Sequence, residues 1–198
     1  MPRTPDPGLE QRIARAAVRL LDQQGAEAVT MRAVAAAAGT TTPTLYDRFS
    51  DRRALLAAVS ELWEEELLGE LRKARSVEDM AERFIKLSCR YPRRFDLTVD
   101  TFGGRLASGA PQPGLELLLQ RIAEETSAGG AEREGLALAI ASLAFGATRG
   151  MIAASPDHRR ARDLRSACFS ALKLLLDAYG GAGARRGHRP PQRSRKKL

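Results

Sequence analysis

Residues 30 to 49 constrain the fold of this chain more than any other segment, because they encode two short helices joined at one glycine. The segment reads TMRAVAAAAGTTTPTLYDRF. Thr30 precedes an Ala-rich helical stretch as an N-cap, and Gly39 permits the sharp turn that follows. Pro43 suits the first turn of the second helix, which opens on hydroxyl side chains short enough to meet base edges and phosphates. This layout is typical of a DNA-reading helix-turn-helix.

Helical periodicity continues on both sides of this segment. Apolar residues recur every three or four positions between residues 9 and 24, which predicts an amphipathic first helix that ends at Gly25. We expect the third helix to run to about Arg48, with Leu45 and Phe49 on its buried face. Ser50 or Asp51 is expected to cap a fourth helix.

The remainder of the chain, from residue 60 to residue 179, has helical periodicity and little strand signal. We predict an all-α protein with a three-helix helix-turn-helix domain over 9–59 and a helical effector-binding and dimerisation domain over 60–179. The fourth helix is expected to continue into the body as far as Ala74. A second body helix is expected over 76–91, and a third from Pro92 to a break at Gly103-Gly104. The remaining helices are expected over 115–126, 131–154 and 157–179.

The net charge of +8 is concentrated at the end of the chain. Residues 180 to 198 carry seven cations and no carboxylate, which leaves only +1 for the rest of the protein. Because this tail is rich in Gly, Pro, Ser and Gln, we expect it to be a disordered basic arm. Either it is a solubilising extension or it contacts DNA phosphates without sequence preference.

Composition also limits the classes of function. Two distant cysteines and two histidines support neither a disulfide framework nor a metal site, so we predict no metal and no cofactor. A Gly-rich phosphate loop with Lys, a His-carboxylate pair and a Cys-His arrangement are missing from the sequence, so no catalytic residues and no enzyme are predicted. We find no signal peptide, and no apolar run that approaches the roughly 20 residues of a membrane span, and therefore expect a cytoplasmic protein without membrane contact.

Several motifs of the first 60 residues fall in the register of a known family. They are GAEAVTMRAVA, the following Ala-Gly, and PTLYDRFSDRRALL. Over about residues 10 to 59, the chain resembles the N-terminal domain of the tetracycline-repressor (TetR) family of transcriptional regulators. The resemblance implies an all-helical homodimer that binds a palindromic operator in double-stranded DNA and releases it when a small molecule enters the C-terminal domain.

The resemblance also assigns DNA-binding roles by position. Thr30 would lie near a phosphate at the start of the second helix, Pro43 would contact a thymine methyl, and Arg52 would take the place of a phosphate-binding Lys. Arg32 and Arg48 would each reach a base edge or a phosphate, and because three consecutive threonines offer little reach for bases, base reading is expected to depend on these two arginines. The predicted DNA-binding residues are Thr30, Arg32, Thr41, Thr42, Pro43, Thr44, Tyr46, Arg48 and Arg52.

Two further partners are expected of the body. The apolar helices over 131–154 and 157–179 predict a homodimer interface, which the resemblance also implies. Aromatic residues of the middle helices are candidates to line a cavity for a small, largely hydrophobic effector, with Cys89, Arg90 or Arg149 as polar anchors. The candidate ligand-binding residues are Trp63, Phe84, Phe95, Phe102, Phe145 and Met151.

Two other functions fit parts of this sequence. A nonspecific DNA-coating protein would use the basic tail alone, and its binding would be nearly uniform across DNA sequences and fall steeply with salt. A protein-interaction scaffold would need no DNA at all. A repressor or activator with a palindromic site is distinguished from both by its sequence preference.

Overall fold

A computed structural model describes residues 8–155 and 157–180, and every regular element in these ranges is helical. The all-α prediction is thereby confirmed. The basic tail predicted over 180–198 lies, from residue 181 onward, outside the described residues. The α-helices are α1 Leu9–Gln24, α2 Met31–Ala37, α3 Thr42–Tyr46, α4 Arg52–Leu71, α5 Val77–Arg90, α6 Pro92–Ser108, α7 Pro113–Glu125, α8 Gly130–Ala153 and α9 His158–Tyr179, with a 3-10 turn at Ala26–Ala28.

Local capping signals begin each of the helices that follow α1 in the head of the molecule. The side chains of Thr30, Thr41 and Asp51 each accept a hydrogen bond from the backbone N–H three residues later, at 3.2, 3.3 and 2.7 Å. Each bond satisfies a donor that a helix start would otherwise leave unpaired. Gly39 has a φ of 67°, the left-handed conformation that the α2–α3 turn requires.

The head closes on a small core that contains Ile13, Leu21, Val34, Leu45 and Leu55, all of them fully or almost fully buried. Helix α3 ends at Tyr46, two residues before the predicted end. The N–H groups of residues 48 and 49 both donate to the Leu45 carbonyl, so the chain turns sharply and brings Phe49 beneath α3. The expectation that Leu45 and Phe49 share the buried side is therefore confirmed.

Helix α4 passes from the head into the body, where it packs with α5 to α9 around a second core. It ends at Leu71, short of the predicted Ala74, and Ser76 then caps α5 by accepting from the Asp79 N–H at 3.0 Å. Pro92 starts α6 as predicted. The buried residues of the head core end at Val59 on this helix and those of the body core begin at Leu67, so α4 is the continuous connection between the two.

The predicted break at Gly103-Gly104 is wrong, because α6 continues through both glycines to Ser108. A glycine inside a helix costs about 1 kcal/mol relative to alanine, and contacts on both sides of the pair oppose that cost. Phe102 stacks on Phe145 with ring centroids 4.8 Å apart, and Arg105 forms an ion pair with Glu64. Tertiary contacts therefore hold a helix that local propensity disfavours.

Helix α8 departs from the expectation that no apolar run approaches the length of a membrane span. By length and composition alone it could cross a bilayer, since its mean hydropathy is 1.6 over an 18-residue window. In the structure, 39% of that window is buried. The core helix of a soluble protein passes the same test. One side of α8 packs against α5, α7 and α9, and the other side is exposed.

Candidate nucleic-acid interface and ligand cavity

The second helix of the helix-turn-helix presents its N-terminal end and one side to solvent. Thr41, Pro43 and Arg48 are exposed, and the Tyr46 side chain is 52% exposed although it is aromatic. Arg32 is exposed near the N-terminus of α2. The structure thus brings these predicted DNA-binding residues to the surface of one small domain, where a double helix could reach them.

The threonines at the start of α3 differ in burial and in the hydrogen bonds that their hydroxyls already make. The Thr41 hydroxyl accepts from the Thr44 N–H and lies 2.8 Å from the Thr44 hydroxyl. Thr42 and Thr44 are half-buried. Because each hydroxyl oxygen has two lone pairs and one proton, Thr41 and Thr44 keep further capacity for an external phosphate.

The two arginines that begin α4 have different surroundings. Arg52 donates from Nε to the Val29 carbonyl at 2.9 Å and from Nη2 to the Ala26 carbonyl at 2.6 Å, so it fastens α4 to the turn before Thr30. Arg53 is exposed, and the described part of the chain provides it with no ion pair. Arg53 is therefore more available than Arg52 to bind a phosphate. The sequence could not distinguish the two arginines, because the partners of Arg52 lie 23 and 26 positions away.

Replacing Thr30 by alanine is expected to lower the free energy of unfolding by about 1 kcal/mol, because the α2 cap is lost. Thr30→Ser should keep most of the stability, since serine caps as well as threonine does. Thr42→Ala removes a hydroxyl that does not cap and serves as the matched control. Urea unfolding followed by helix content measures all three, and equal stabilities for T30A and T42A would contradict the capping role.

A largely apolar cavity of about 120 Å³ lies among α4 to α8 in the body. Four of the six candidate ligand-binding residues line it, namely Trp63, Phe84, Phe102 and Phe145. Phe95 and Met151 do not line it. Phe95 is fully buried behind the cavity wall and packs on Phe145 at a centroid distance of 5.7 Å, and Met151 is part of the body core.

Four polar residues of the cavity wall, which also includes Ser60 and Gln112, are paired with one another. Both Nη atoms of Arg105 donate to the carboxylate of Glu64, and the Nη2–Oε2 distance is 2.8 Å. The Trp63 indole Nε1 donates to the Thr98 hydroxyl at 2.5 Å. Both pairs join α4 to α6. The sequence did not indicate them, because the paired residues are 41 and 35 positions apart along the chain.

The three polar anchors suggested by the sequence lie elsewhere. None of Cys89, Arg90 and Arg149 lines the cavity. Arg149 forms an ion pair with Asp96 at 2.8 Å, and Cys89 is exposed. Their helical spacing correctly indicated that these residues lie on body helices. Which side chains reach the cavity depends on how each helix is rotated against its neighbours, and the spacing alone does not give that rotation.

The start of α6 is fastened to the end of α1 by two arginines. The Arg94 Nε donates to Asp22 Oδ1 at 2.8 Å, and its Nη1 donates to Glu66 Oε2 at 2.8 Å. Arg93 donates to the Asp22 carbonyl at 2.7 Å. The hydrogen bond that Arg94 donates to the Asp22 carboxylate raises the pKa of the Arg94 guanidinium further above its ordinary value, so this cation stays charged. Helix α6 therefore connects the head directly to the cavity wall.

Helices α8 and α9 expose apolar or small side chains. The Leu138 side chain on α8 is 36% exposed and that of Leu174 on α9 is 72% exposed. Small residues surround Leu138 on the same exposed side of α8. They are Gly135, Ala139, Ser142 and Gly146.

The fold defines an all-helical protein with a helix-turn-helix head, in which α2 and α3 are exposed, and a helical body. Residues 13–59 match the family model described as bacterial regulatory proteins, tetR family. The match covers the head of the molecule, and there it agrees with the sequence resemblance to the TetR family of transcriptional regulators. None of the curated proteins matches the chain in sequence.

Solved structures of this fold cover most of the chain. SCO7222, a TetR from Streptomyces coelicolor, is 20% identical and superposes with a TM-score of 0.68, covering 85% of this chain and 96% of its own. SmeT, the repressor of the Stenotrophomonas maltophilia efflux pump SmeDEF, is 21% identical with a TM-score of 0.60, covering 88% and 91%. A variant of TetR from Acinetobacter baumannii AYE, in complex with minocycline, is 20% identical with a TM-score of 0.61, covering 88% and 96%.

Proposed function

We propose that this protein is a ligand-responsive repressor that binds a palindromic operator as a homodimer and leaves it when a small molecule enters the body. The observation that carries the proposal is the attachment of an exposed helix-turn-helix, through α1 and α4, to helices that line the cavity. Among proteins of this fold, SmeT is a repressor and the Acinetobacter TetR variant holds minocycline.

The operator contacts that we propose follow the exposed surface of the head. Arg32 and Arg48 read base edges, while Tyr46 and the Thr41 and Thr44 hydroxyls contact phosphates. Pro43 and Thr42 extend the same surface. Arg53 takes the phosphate contact first expected of Arg52, while Arg52 holds the turn that orients Thr30.

We propose that the second copy of the chain packs on the exposed sides of α8 and α9. Exposed leucines beside small residues let two helices approach closely, and burial of such a surface favours association. A two-fold dimer places two α3 helices to read half-sites about 34 to 36 Å apart, or a multiple of that spacing. The pairing would also bury the exposed apolar side of α8 away from water.

The proposed coupling runs through α6. A ligand between Trp63 and Phe102 displaces side chains on α4 and α6, and the Trp63–Thr98 hydrogen bond and the Arg94–Asp22 ion pair connect these helices to α1. Release requires that the ligand bind one arrangement of head and body better than the other. A coupling of about 1 to 3 kcal/mol changes operator affinity roughly 5- to 150-fold.

Selection of binding sites from random duplexes at near-physiological salt tests the function. We expect the folded protein to enrich a palindrome whose half-sites are separated by about one helical turn. Failure of a folded dimer to enrich any sequence would contradict the repressor and favour nonspecific coating of DNA through the tail. Analytical ultracentrifugation of the same preparation measures whether the protein is the expected dimer.

Deleting residues 181 to 198 is expected to weaken binding to random DNA and leave the preferred sequence unchanged. The deletion removes seven cations, and each lost phosphate contact should flatten the slope of log affinity against log salt by about 0.9. Titrations of random and operator duplexes at several salt concentrations measure both effects. An unchanged salt slope would show that the tail does not contact DNA.

Replacing Arg94 by methionine is expected to uncouple the cavity from the head. Ligands that quench Trp63 should still bind, but the ratio of operator affinities without and with such a ligand should fall toward one. Arg83→Met is the matched control, because Arg83 also contacts two carboxylates, Glu70 and Asp79, but both lie within the body. Equal ratios for R94M and R83M would contradict the proposed route.

A further inference from the structure

We infer that the cavity selects a small cationic effector, consisting of an apolar body of about one ring and a single ammonium group that binds at Glu64. The inference rests on the proposed ligand response and specifies its chemistry. Three features of the cavity support it: its size, the pairing of its polar groups, and the sign of the charges near the ion pair in its wall.

The size of the cavity sets the size of the apolar body. Its volume is about 120 Å³, and an engineered apolar cavity of about 150 Å³ is known to bind benzene. Trp63, Phe84, Phe102 and Phe145 surround this space, and rings of this kind pack well against another ring. Aromatic faces also attract a cation placed over them. The cavity therefore suits one ring or a short chain of similar volume.

The polar residues of the cavity wall include the half-buried, neutral Ser60 and Gln112 and two pairs of side chains that bind each other. The Trp63 N–H is bound to the Thr98 hydroxyl, and that hydroxyl donates in turn to the Arg94 carbonyl at 3.3 Å. Glu64 and Arg105 are the only charged side chains that line the cavity in the described part of the chain. Their side chains are 28% and 31% exposed, which places the pair where the cavity meets solvent.

The charges around this ion pair favour a cation. The hydrogen bond to Glu64 raises the pKa of the Arg105 guanidinium, and the negative charges of Glu64 and of the nearby Glu61 raise it further. Two carboxylate charges therefore act on one cation. Each Glu64 oxygen uses one lone pair for Arg105 and keeps another for an incoming ammonium. A ligand carboxylate would instead share Arg105 with two groups of its own sign.

Three probes that share a phenyl ring and a three-carbon chain test the sign of the ligand charge. They are 3-phenylpropylammonium, 3-phenylpropan-1-ol and 3-phenylpropanoate. Trp63 is the only tryptophan of the chain and lines the cavity, so its fluorescence reports occupancy directly. With the full-length protein we expect the ammonium probe to bind at least about 10-fold more tightly than either of the other two.

Two variants that break the same ion pair separate the role of charge from that of folding. In Glu64→Gln the preference for the cation should disappear, whereas in Arg105→Gln it should be kept or increase. Glu61→Gln should weaken the preference only partly. Because E64Q and R105Q lose the same contact, a difference between them cannot come from the loss of the pair alone. Helix content and the thermal midpoint establish that each variant is folded.

Tighter binding of the propanoate or the alcohol to the wild-type protein would overturn the inference, as would an unchanged cation preference in E64Q. Failure of all three probes to quench Trp63 would also overturn it, because the cavity would then not accept a one-ring ammonium compound. The proposed function is tested apart from this by site selection from random DNA. A protein that selects a palindrome but rejects the ammonium probe is a regulator with a different ligand.

Discussion

Replacing Arg32 and Tyr46 together by alanine is expected to reduce the affinity for the selected operator at least 100-fold and to leave weak binding to random DNA. A specific base contact contributes about 1 to 3 kcal/mol, and specific binding exceeds nonspecific binding by roughly 10³- to 10⁷-fold. Both side chains are exposed, so neither supports the core of the head. Fluorescence anisotropy with operator and random duplexes at fixed salt measures the two affinities.

The matched control for this double variant is Arg72→Ala, which also removes an exposed arginine but lies at the end of α4 in the body. It should bind the operator as the wild-type protein does. Operator binding by R32A/Y46A at the wild-type affinity would contradict the assignment of this surface. Loss of helix content in the double variant would show instead that one of the two side chains supports the head.

Replacing Phe95 by alanine is expected to lower the free energy of unfolding by about 3 to 5 kcal/mol. Phe95 is fully buried, and its ring packs on Phe84 and Phe145 with centroids 6.2 and 5.7 Å away, so truncation leaves a cavity in the body core. Phe102→Ala should cost less, because Phe102 is half-buried and lines the existing cavity. Urea unfolding at equal protein concentration measures both costs.

This pair of variants also separates packing from ligand contact. If Phe95 is a core residue, F95A should fold less stably, whereas F102A should chiefly weaken the quenching of Trp63 by a bound ligand. A stable F95A protein that has lost ligand binding would show that Phe95 reaches the ligand after all. The sequence placed both residues in one class, because both are aromatic side chains on the same helix.

Local signals determined the head of the molecule. Thr30 caps α2 as the sequence predicted, Asp51 is the one of two candidates, Ser50 and Asp51, that caps α4, and Gly39 adopts the positive φ that the turn needs. Caps act over three residues and a glycine acts at its own position, so the chain order alone is sufficient to locate them. The motifs of the helix-turn-helix therefore indicated the fold of the head and the family that the head resembles.

The division of roles between similar residues was decided by the tertiary structure. Arg52 and Arg53 are adjacent, yet one is bound to carbonyls of the preceding turn and the other is exposed. The Glu64–Arg105 and Asp22–Arg94 pairs join residues 41 and 72 positions apart. A side chain's partners at such separations depend on how whole helices pack, and no short sequence pattern encodes that packing.

The sequence by itself determined that this chain is helical and where its head begins and turns, and it supplied the candidate residues for reading DNA. Only the tertiary structure decided that α6 continues through Gly103-Gly104, that Phe95 is core while Phe102 faces the cavity, and that Glu64 lies beside it. The physical reason is that caps and turns are satisfied within a few residues. A cavity exists only between helices that are distant along the chain.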